Sequence, residues 1–211
     1  MPTPITIFMV HGGMTFKSRR DYVKYLKTRD LDLSSKSYWS GAYLDKKLGR
    51  DFNVVRPRMP LSDNARYEDW KIFFERYLPL LKHSSILIGS SLGGIFLVKY
   101  FSEHKLAKPF KSLFLVAPPF DNNLPEEDLV GGFRLQSDLR LLEKNFINLH
   151  FLFSLDDDVV PPSQALGYAR RLPQADIRIL DNITGHFKES RFPEIIKMIQ
   201  EDSKNFGKKL R

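Results

Sequence analysis

Three short stretches of the sequence carry side chains that together could perform nucleophilic chemistry on a carbonyl group. Residues 89–93 read Gly-Ser-Ser-Leu-Gly and fit the pattern G-x-S-x-G, with Ser91 at its centre. Further along come three consecutive aspartates at 156–158, and then His186 after a glycine. In such a set the serine attacks the carbonyl carbon, the histidine takes and returns a proton, and a carboxylate orients the imidazole. The spacing therefore predicts acyl-transfer chemistry at Ser91 assisted by His186.

The turn around Ser91 has the neighbours that a serine on a sharp bend requires. Gly89 and Gly93 lie two residues before and two residues after it, where larger side chains would crowd the turn. An apolar run at 86–88 predicts a buried strand before the turn, and the run at 95–101 predicts a helix after it. The competing interpretation is a plain glycine- and serine-rich turn before a core helix, because G-x-S-x-G also occurs by chance.

Backbone N–H groups near Ser91 could stabilise the negative charge that develops on the carbonyl oxygen. The N–H of Leu92 lies at the start of the predicted helix, where the helix dipole favours negative charge. The loop after the first predicted strand offers a second donor, the N–H of Gly13, with Met14 as a neighbouring candidate. This loop could also be a plain strand-to-helix turn. We expect His11 in the same loop to have a structural, hydrogen-bonded role.

The elements around these stretches alternate between strand-like and helix-like patterns. Short apolar runs predict six strands, at 5–10, 52–55, 86–88, 111–116, 148–153 and 175–180, and the clearest amphipathic helix lies at 67–82. The alternation predicts an α/β protein with a parallel sheet of about six strands and helices on both faces, a three-layer sandwich. Ligand sites in such sheets form at the C-terminal strand ends, where the serine, the aspartates and the histidine all lie. Their order, Ser, Asp, His, is that of the α/β-hydrolase triad.

The aspartates at 156–158 allow a second interpretation. Three adjacent carboxylates on one loop could hold a divalent cation together with a histidine. A metal site would leave the serine turn unexplained, so we expect no metal at this loop. His150 lies within a predicted strand, and we expect it to pack there rather than to take part in catalysis.

Several of these stretches together resemble the small serine hydrolases of the YdeN and retinoblastoma-binding-protein type, which are compact α/β-hydrolases. The similar stretches are 7–13, Met59-Pro60 followed by a helix with Trp70, 89–94, 156–161 and 185–187. In this family the catalytic aspartate stands four residues before the proline of a D-x-x-x-P loop. That position is Asp157, which leaves Asp156 and Asp158 to shape the loop or to face solvent. The resemblance also implies hydrolase or esterase activity without a metal or an organic cofactor.

Two departures separate the chain from that family. The basic insertion at 15–37 is longer than expected between the first strand and its helix, and it could be a helix near the entrance of the site or a loop. The chain has no cysteine, whereas the retinoblastoma-binding motif Leu-x-Cys-x-Glu requires one. We therefore do not expect the retinoblastoma-binding role in this chain.

Length and composition favour one α/β-hydrolase domain over residues 1–211. A chain of 211 residues with 42% hydrophobic residues can bury one substantial core and is short for two. Besides the insertion at 15–37, we distinguish an acidic segment at 121–136 that could form a small cap over the pocket. We expect Phe133 to be a wall of that pocket. The chain ends in a basic tail at 204–211.

Charge and hydropathy bear on partners and location. The net charge of +8 could attract an acidic partner, but no nucleic-acid-binding signature accompanies it, so we expect a solvated basic surface and no nucleic acid binding. No apolar run approaches the ~18 residues that a membrane-spanning helix needs. The N-terminus lacks a leader-like pattern and cysteine is absent, so we expect a cytoplasmic protein without disulfides.

Together these patterns predict a serine hydrolase that cleaves small carboxylic esters through an acyl-enzyme on Ser91. Asp157 and His186 complete the predicted triad, and the N–H groups of Leu92 and Gly13 form the predicted oxyanion hole. One alternative is an amide or peptide hydrolase that uses the same residues. Another is a hydrolase-fold protein that binds a partner or a small ligand with little turnover. The sequence does not predict the number of subunits.

Overall fold

Six parallel strands form one sheet in the computed structural model, which describes residues 3–34, 36–125 and 128–205. The strand order is β2-β1-β3-β4-β5-β6. The strands are β1 Ile5–Val10, β2 Phe52–Val55, β3 Ile86–Ser90, β4 Phe110–Val116, β5 Phe146–Ser154 and β6 Asp176–Leu180. The predicted six-stranded parallel sheet is confirmed, and each strand agrees with its predicted bounds to within two residues at either end.

The described residues form seven α-helices, of which α1 to α6 lie between strands and α7 follows β6. They are α1 Arg19–Thr28, α2 Leu44–Leu48, α3 Tyr67–Glu75, α4 Leu92–Glu103, α5 Arg140–Asn145, α6 Gln164–Arg171 and α7 Pro193–Asn205. The helix predicted at 67–82 is shorter than expected, because α3 ends at Glu75 and a separate 3-10 turn at Leu78–Leu80 contains Pro79, which cannot continue a helical hydrogen-bond ladder. Within the described residues, no helix is long and apolar enough to cross a bilayer.

The insertion predicted at 15–37 contains α1, and Ser35 within it lies outside the described residues. Of the predicted basic tail, residues 206–211 also lie outside them, and α7 extends to Asn205.

The middle of the sheet and α4 form the most buried layer of the protein. Every residue of β4 is buried, and α4 is buried on nearly all sides, as expected for a helix that is apolar all round. The ring of Phe96 in α4 packs edge-on against Trp70 and Phe74 of α3 at centroid distances of 5.6 and 5.4 Å. Because α4 begins directly after Ser91, the predicted nucleophile is positioned by the best-packed helix.

His150 lies in a half-buried polar network between the sheet and α7. Its Nδ1 lies 3.0 Å from Oδ2 of Asp176 and its Nε2 lies 3.0 Å from Oδ2 of Asp202. Its ring also stacks on Phe114 at 4.6 Å. The predicted packing role of His150 is confirmed, and the hydrogen bonds add a connection between β5, β6 and α7.

Candidate active site

Ser91 occupies a bend between β3 and α4 that few side chains adopt. Its backbone angles are φ 51° and ψ −122°, in a region that costs a non-glycine residue free energy. The N–H of Ser91 donates to the carbonyl of Val116 at 2.8 Å, and its own carbonyl accepts from Gly94 at 2.8 Å. These bonds hold the strained residue beyond the end of β3. The predicted strand–turn–helix around Ser91 is therefore present.

Gly89 and Gly93 allow the backbone to close this bend. A Cβ atom at Gly93 would lie 2.4 Å from the carbonyl oxygen of Val10 and 2.5 Å from that of His11. A Cβ atom at Gly89 would lie 2.7 Å from the carbonyl oxygen of Gly93. All three contacts are with backbone atoms, so a larger residue at Gly93 would push the turn away from the end of β1, and one at Gly89 would push the start of α4 away from β3.

We expect Gly93→Ala to lower the free energy of unfolding by at least about 2 kcal/mol, because the new methyl group overlaps two backbone carbonyls. Ser90→Ala is the matched control in the same turn, since it introduces no new Cβ atom, and we expect a change within about 0.5 kcal/mol. Urea titration followed by tryptophan fluorescence measures both. Equal stability of Gly93→Ala and wild type would contradict this account of the turn.

The structure brings His186 and Asp157 together at the ends of β6 and β5. Nδ1 of His186 lies 2.8 Å from Oδ2 of Asp157. The side chain of Asp157 is fully buried, and that of His186 is 15% exposed. Oδ1 of Asp157 accepts hydrogen bonds from the backbone N–H groups of Val159 and Val160, both at 2.9 Å. An ionised carboxylate only accepts, so the bond to His186 requires the proton on Nδ1 and leaves Nε2 available as a base in the neutral imidazole.

The two flanking aspartates have other roles. Oδ1 of Asp156 lies 2.8 Å from the hydroxyl of Ser154 and accepts from the N–H of Gly185 at 2.9 Å, which ties the acidic loop to the loop of His186. Hydrogen bonds from these two donors hold the pKa of Asp156 below its usual value, and the bond from the Ser154 hydroxyl has the larger effect. A carboxyl with a lowered pKa stabilises the fold at neutral pH, and this contribution is lost as the pH falls through the lowered value. Asp158 is exposed.

The metal-binding interpretation of the aspartates at 156–158 gains no support from this arrangement. Asp157 faces His186, Asp156 faces Gly185 and Asp158 faces solvent, so the three carboxylates do not converge. Among residues 3–34, 36–125 and 128–205, no three His, Cys, Asp or Glu side chains gather as a set that could hold a metal ion.

Ser91 is not hydrogen-bonded to His186 in the described part of the chain. The side chain of Ser91 lies instead beside Gly12, where an added Cβ atom would be 3.2 Å from Ser91 Cβ and 3.8 Å from its Oγ. The structure thus brings together two of the three predicted catalytic side chains through a direct bond. The third, Ser91, follows β3, which β4 separates from β5, and it has no such bond.

The two predicted oxyanion donors border one crevice with Ser91. Across the described residues, the N–H groups of Leu92 and Gly13 donate no hydrogen bond to the protein, and both residues line a cavity of about 10 Å³ together with Ser91. Met14 does not fit the role of neighbouring candidate, because its N–H donates to the carbonyl of Ser62 at 2.8 Å. Two unpaired N–H groups beside a serine are the feature that an oxyanion hole requires.

His11 has the structural role predicted for it. Its Nε2 accepts from the N–H of Met59 at 2.9 Å, and its Nδ1 lies 2.6 Å from the carbonyl of Gly12. Both ring nitrogens are therefore engaged with backbone groups, and the ring contacts Trp70 edge-on at 5.9 Å. His11 fastens the loop that carries Gly13 to the loop before α3.

The crevice at Ser91 is also lined by residues that the sequence patterns did not single out, namely Thr15, Pro119, Leu124, Asp128 and Leu129. The hydroxyl of Thr15 donates to the carbonyl of Asp128 and accepts from the N–H of Val130, the latter at 3.0 Å. Thr15 and Pro119 follow the ends of β1 and β4, and this position is the signal that could have identified them.

The predicted role of Phe133 is wrong. Its side chain is fully buried and packs edge-on against Tyr67 and Trp70 at centroid distances of 6.0 and 5.4 Å, so it belongs to the core and lines no pocket wall. Gly131 and Gly132 just before it both have positive φ angles, and the turn that they form directs the ring inward. Of the predicted cap at 121–136, residues 126 and 127 lie outside the described part, and the cap itself stays a prediction.

Comparisons with known proteins agree with this architecture. A family model described as "Serine hydrolase" matches residues 31–200. The product of the ydeN gene of B. subtilis is 19% identical with a TM-score of 0.72, over 94% of this chain and 98% of that chain. No curated protein sequence matches the chain.

Two further solved structures share the fold. A YdeN-like hydrolase from Pectobacterium atrosepticum is 18% identical with a TM-score of 0.64, over 95% of this chain and 91% of that chain. An esterase domain from Rhodothermus marinus is 17% identical with a TM-score of 0.55, over 95% of this chain and 84% of that chain. The predicted α/β-hydrolase fold and the predicted resemblance to small hydrolases of the YdeN type are confirmed.

Proposed function

The chain belongs to the serine hydrolase family, and from this premise we propose that it cleaves small carboxylic esters through an acyl-enzyme on Ser91. The observation that carries the proposal is the 2.8 Å bond between His186 Nδ1 and the fully buried carboxylate of Asp157. A carboxylate that is buried and fixed by two backbone N–H groups suits the task of orienting an imidazole.

In the proposed reaction Oγ of Ser91 attacks the ester carbonyl carbon while Nε2 of His186 takes the hydroxyl proton. The carbonyl oxygen becomes negatively charged and accepts hydrogen bonds from the N–H groups of Leu92 and Gly13. Collapse of this intermediate breaks the bond to the alcohol, and His186 returns the proton to the departing oxygen. A water molecule then attacks the acyl-enzyme by the same steps in reverse order, which releases the acid and restores Ser91.

Esters are preferred over amides in this proposal, with amide or peptide hydrolysis as the alternative for the same residues. An alkoxide leaves more readily than an amide nitrogen, so ester cleavage needs less assistance at the leaving group than amide cleavage does. Among the proteins of similar fold, one carries the description of an esterase domain. The narrow crevice of about 10 Å³ at Ser91 favours a small group next to the carbonyl.

A second candidate function is a binding protein of low activity. Two observations favour it: the crevice at Ser91 is narrow, and no hydrogen bond joins Ser91 to His186 in the described residues. In hydrolases at rest such catalytic bonds are often long and tighten only with substrate bound, so the missing bond does not oppose catalysis.

The experiment that tests the proposal is labelling with a fluorophosphonate probe, which reacts with activated serines. Wild type and Ser90→Ala, a neighbouring serine that serves as the matched control, should both be labelled, and Ser91→Ala should not. Peptide mapping should place the adduct on Ser91. A folded wild-type protein that resists labelling would overturn the proposal and favour the binding protein. Among labelled samples, p-nitrophenyl esters and p-nitroanilides of matched acyl groups separate esterase from amidase activity.

The sequence-based predictions of a cytoplasmic location and of no nucleic acid binding stay predictions.

A further inference from the structure

A second, larger cavity borders the crevice at Ser91. Its volume is about 540 Å³, within the range of small-molecule sites. Phe120, Leu129, Arg134, Ser137 and Arg171 are among its lining residues. Leu129 also lines the crevice of Ser91, and Pro119, the neighbour of Phe120, lines it too. The two cavities therefore share one lining residue and border each other.

One wall of this cavity, which we call the arginine pocket, is built by α6. The amide oxygen of Gln164 accepts from the N–H groups of Phe120 and Asp121 at 2.6 and 3.0 Å, and the hydroxyl of Tyr168 donates to the carbonyl of Pro119 at 2.7 Å. A Cβ atom at Gly167 would lie 2.4 Å from the ring of Phe120, so only glycine lets that ring rest on the helix. The wall is thus held in place before any ligand binds.

Arg171 is the last residue of α6, lies on the same helix face as Gln164 and Tyr168, and is held in place by neutral groups. Its guanidinium lies 4.6 Å from the centroid of the Phe120 ring. Its Nε donates to the carbonyl of Ser137 at 3.2 Å, and its Nη1 donates to the carbonyl of Gly167 at 3.3 Å. These contacts orient the guanidinium without neutralising it, and some of its five N–H donors stay available.

The charge of the arginine pocket is positive. In residues 3–34, 36–125 and 128–205, neither Arg134 nor Arg171 forms an ion pair with a carboxylate. The acidic lining residue is Asp121, and its Oδ1 already accepts from the N–H of Asn123 at 2.9 Å and from the amide of Gln164 at 3.1 Å. The lining therefore includes two arginines and one aspartate, and one oxygen of that aspartate is already engaged by other groups.

We propose that the arginine pocket binds a carboxylate or phosphate group of the substrate, so that the enzyme prefers esters with an anionic group several bonds from the scissile carbonyl. The inference rests on the proposed function, since it assigns the substrate class of the same site. Guanidinium groups match the planar oxygens of carboxylates and phosphates in paired hydrogen bonds. Leu129 lines both cavities and so lies at the border that such a substrate would cross.

The test compares two p-nitrophenyl esters, the monoester of glutarate and its neutral counterpart, the ester of valerate. Wild type should hydrolyse the anionic ester with a kcat/KM roughly tenfold higher than that of the neutral ester, and Arg134→Gln or Arg171→Gln should lower this ratio to about one through the KM of the anionic ester. Arg170→Gln is the matched control, because it removes the same charge from the neighbouring position of α6 outside the pocket, and it should keep the preference.

A second pair of substrates decides which side of the ester carries the anion. 4-Acetoxybenzoate places the carboxylate on the alcohol side, and phenyl acetate is its neutral partner. A preference in either pair that Arg171→Gln removes supports the proposal and assigns the side. Hydrolysis of all four esters with no anion preference, or equal losses in Arg170→Gln and Arg171→Gln, would overturn it.

Failure of the proposed function can be distinguished from failure of the arginine pocket. If the proposed function fails, no ester is hydrolysed, and the quantity to measure is the melting temperature in the presence of free glutarate. Glutarate that raises the melting temperature of wild type but not of Arg171→Gln would support the arginine pocket while ester hydrolysis is abandoned. No hydrolysis and no shift would overturn both.

Discussion

Ser91→Ala is expected to lower kcat for ester hydrolysis by at least about 10⁴-fold while the free energy of unfolding changes by no more than about 0.5 kcal/mol. The loss of activity follows from the removal of the only atom that forms the acyl bond in the proposed reaction. The small change in stability follows from the structure, because the hydroxyl of Ser91 makes no hydrogen bond within the described residues. The backbone bonds of Ser91 to Val116 and Gly94 are kept in the variant.

Steady-state rates on a p-nitrophenyl ester and urea titrations of the same samples measure the two quantities. Ser90→Ala is the control, since it removes a hydroxyl from the adjacent residue and should keep wild-type rates. A Ser91→Ala protein that is folded and retains more than about 1% of the activity would show that another residue is the nucleophile.

Asp157→Asn is expected to reduce kcat by about 10⁴-fold, far more than the same change at either neighbour. The environment of the carboxylate explains why. The N–H groups of Val159 and Val160 require an acceptor at Oδ1, so the amide oxygen of an asparagine must stay there. Its NH₂ group then faces Nδ1 of His186, and this contact moves the ring proton to Nε2. His186 is left in the tautomer that cannot accept the proton of Ser91.

The two neighbouring aspartates provide graded controls for that prediction. Asp158→Asn should change kcat by less than about twofold, because Asp158 is exposed. Asp156→Asn should have an intermediate effect, since an amide oxygen can still accept from the N–H of Gly185 and hold the loop of His186. Initial rates at a pH where wild type is fully active compare all three variants. Equal losses at Asp156 and Asp157 would refute the assignment of Asp157.

The parts of this architecture that the sequence predicts well are those with local causes. The strand before Ser91 ends where glycines permit a bend, and the helix after it begins where an apolar run starts, so both can be recognised within about 15 residues. The choice of Asp157 among three aspartates came from the spacing to a proline in the resemblance, and its bond to His186 agrees with that choice.

The parts that could not be predicted depend on contacts between distant residues. Thr15 lines the crevice because its hydroxyl meets the backbone of residues 128 and 130, more than 100 positions away. The buried position of Phe133 differs from the prediction because the direction of a side chain after two glycines depends on a turn that no periodic pattern reveals. The narrowness of the crevice likewise depends on how Leu124 and Leu129 pack across from Ser91.

The position of β6 has a consequence for how the protein loses activity. β6 is the last strand of the sheet, pairs only with β5, and contains no fully buried residue, whereas β3 and α4 belong to the most buried layer. Amide hydrogens of β6 should therefore exchange with solvent through local opening at a lower free energy than those of β3. His186 follows β6, so local opening of β6 would displace the proposed general base while Ser91 keeps its position between β3 and α4. In a urea series of a Trp39→Phe variant, which keeps Trp70 as the one tryptophan of the sequence, ester hydrolysis should fall at lower denaturant concentration than the fluorescence of Trp70 changes. Coincident curves would show that edge and centre unfold as one unit.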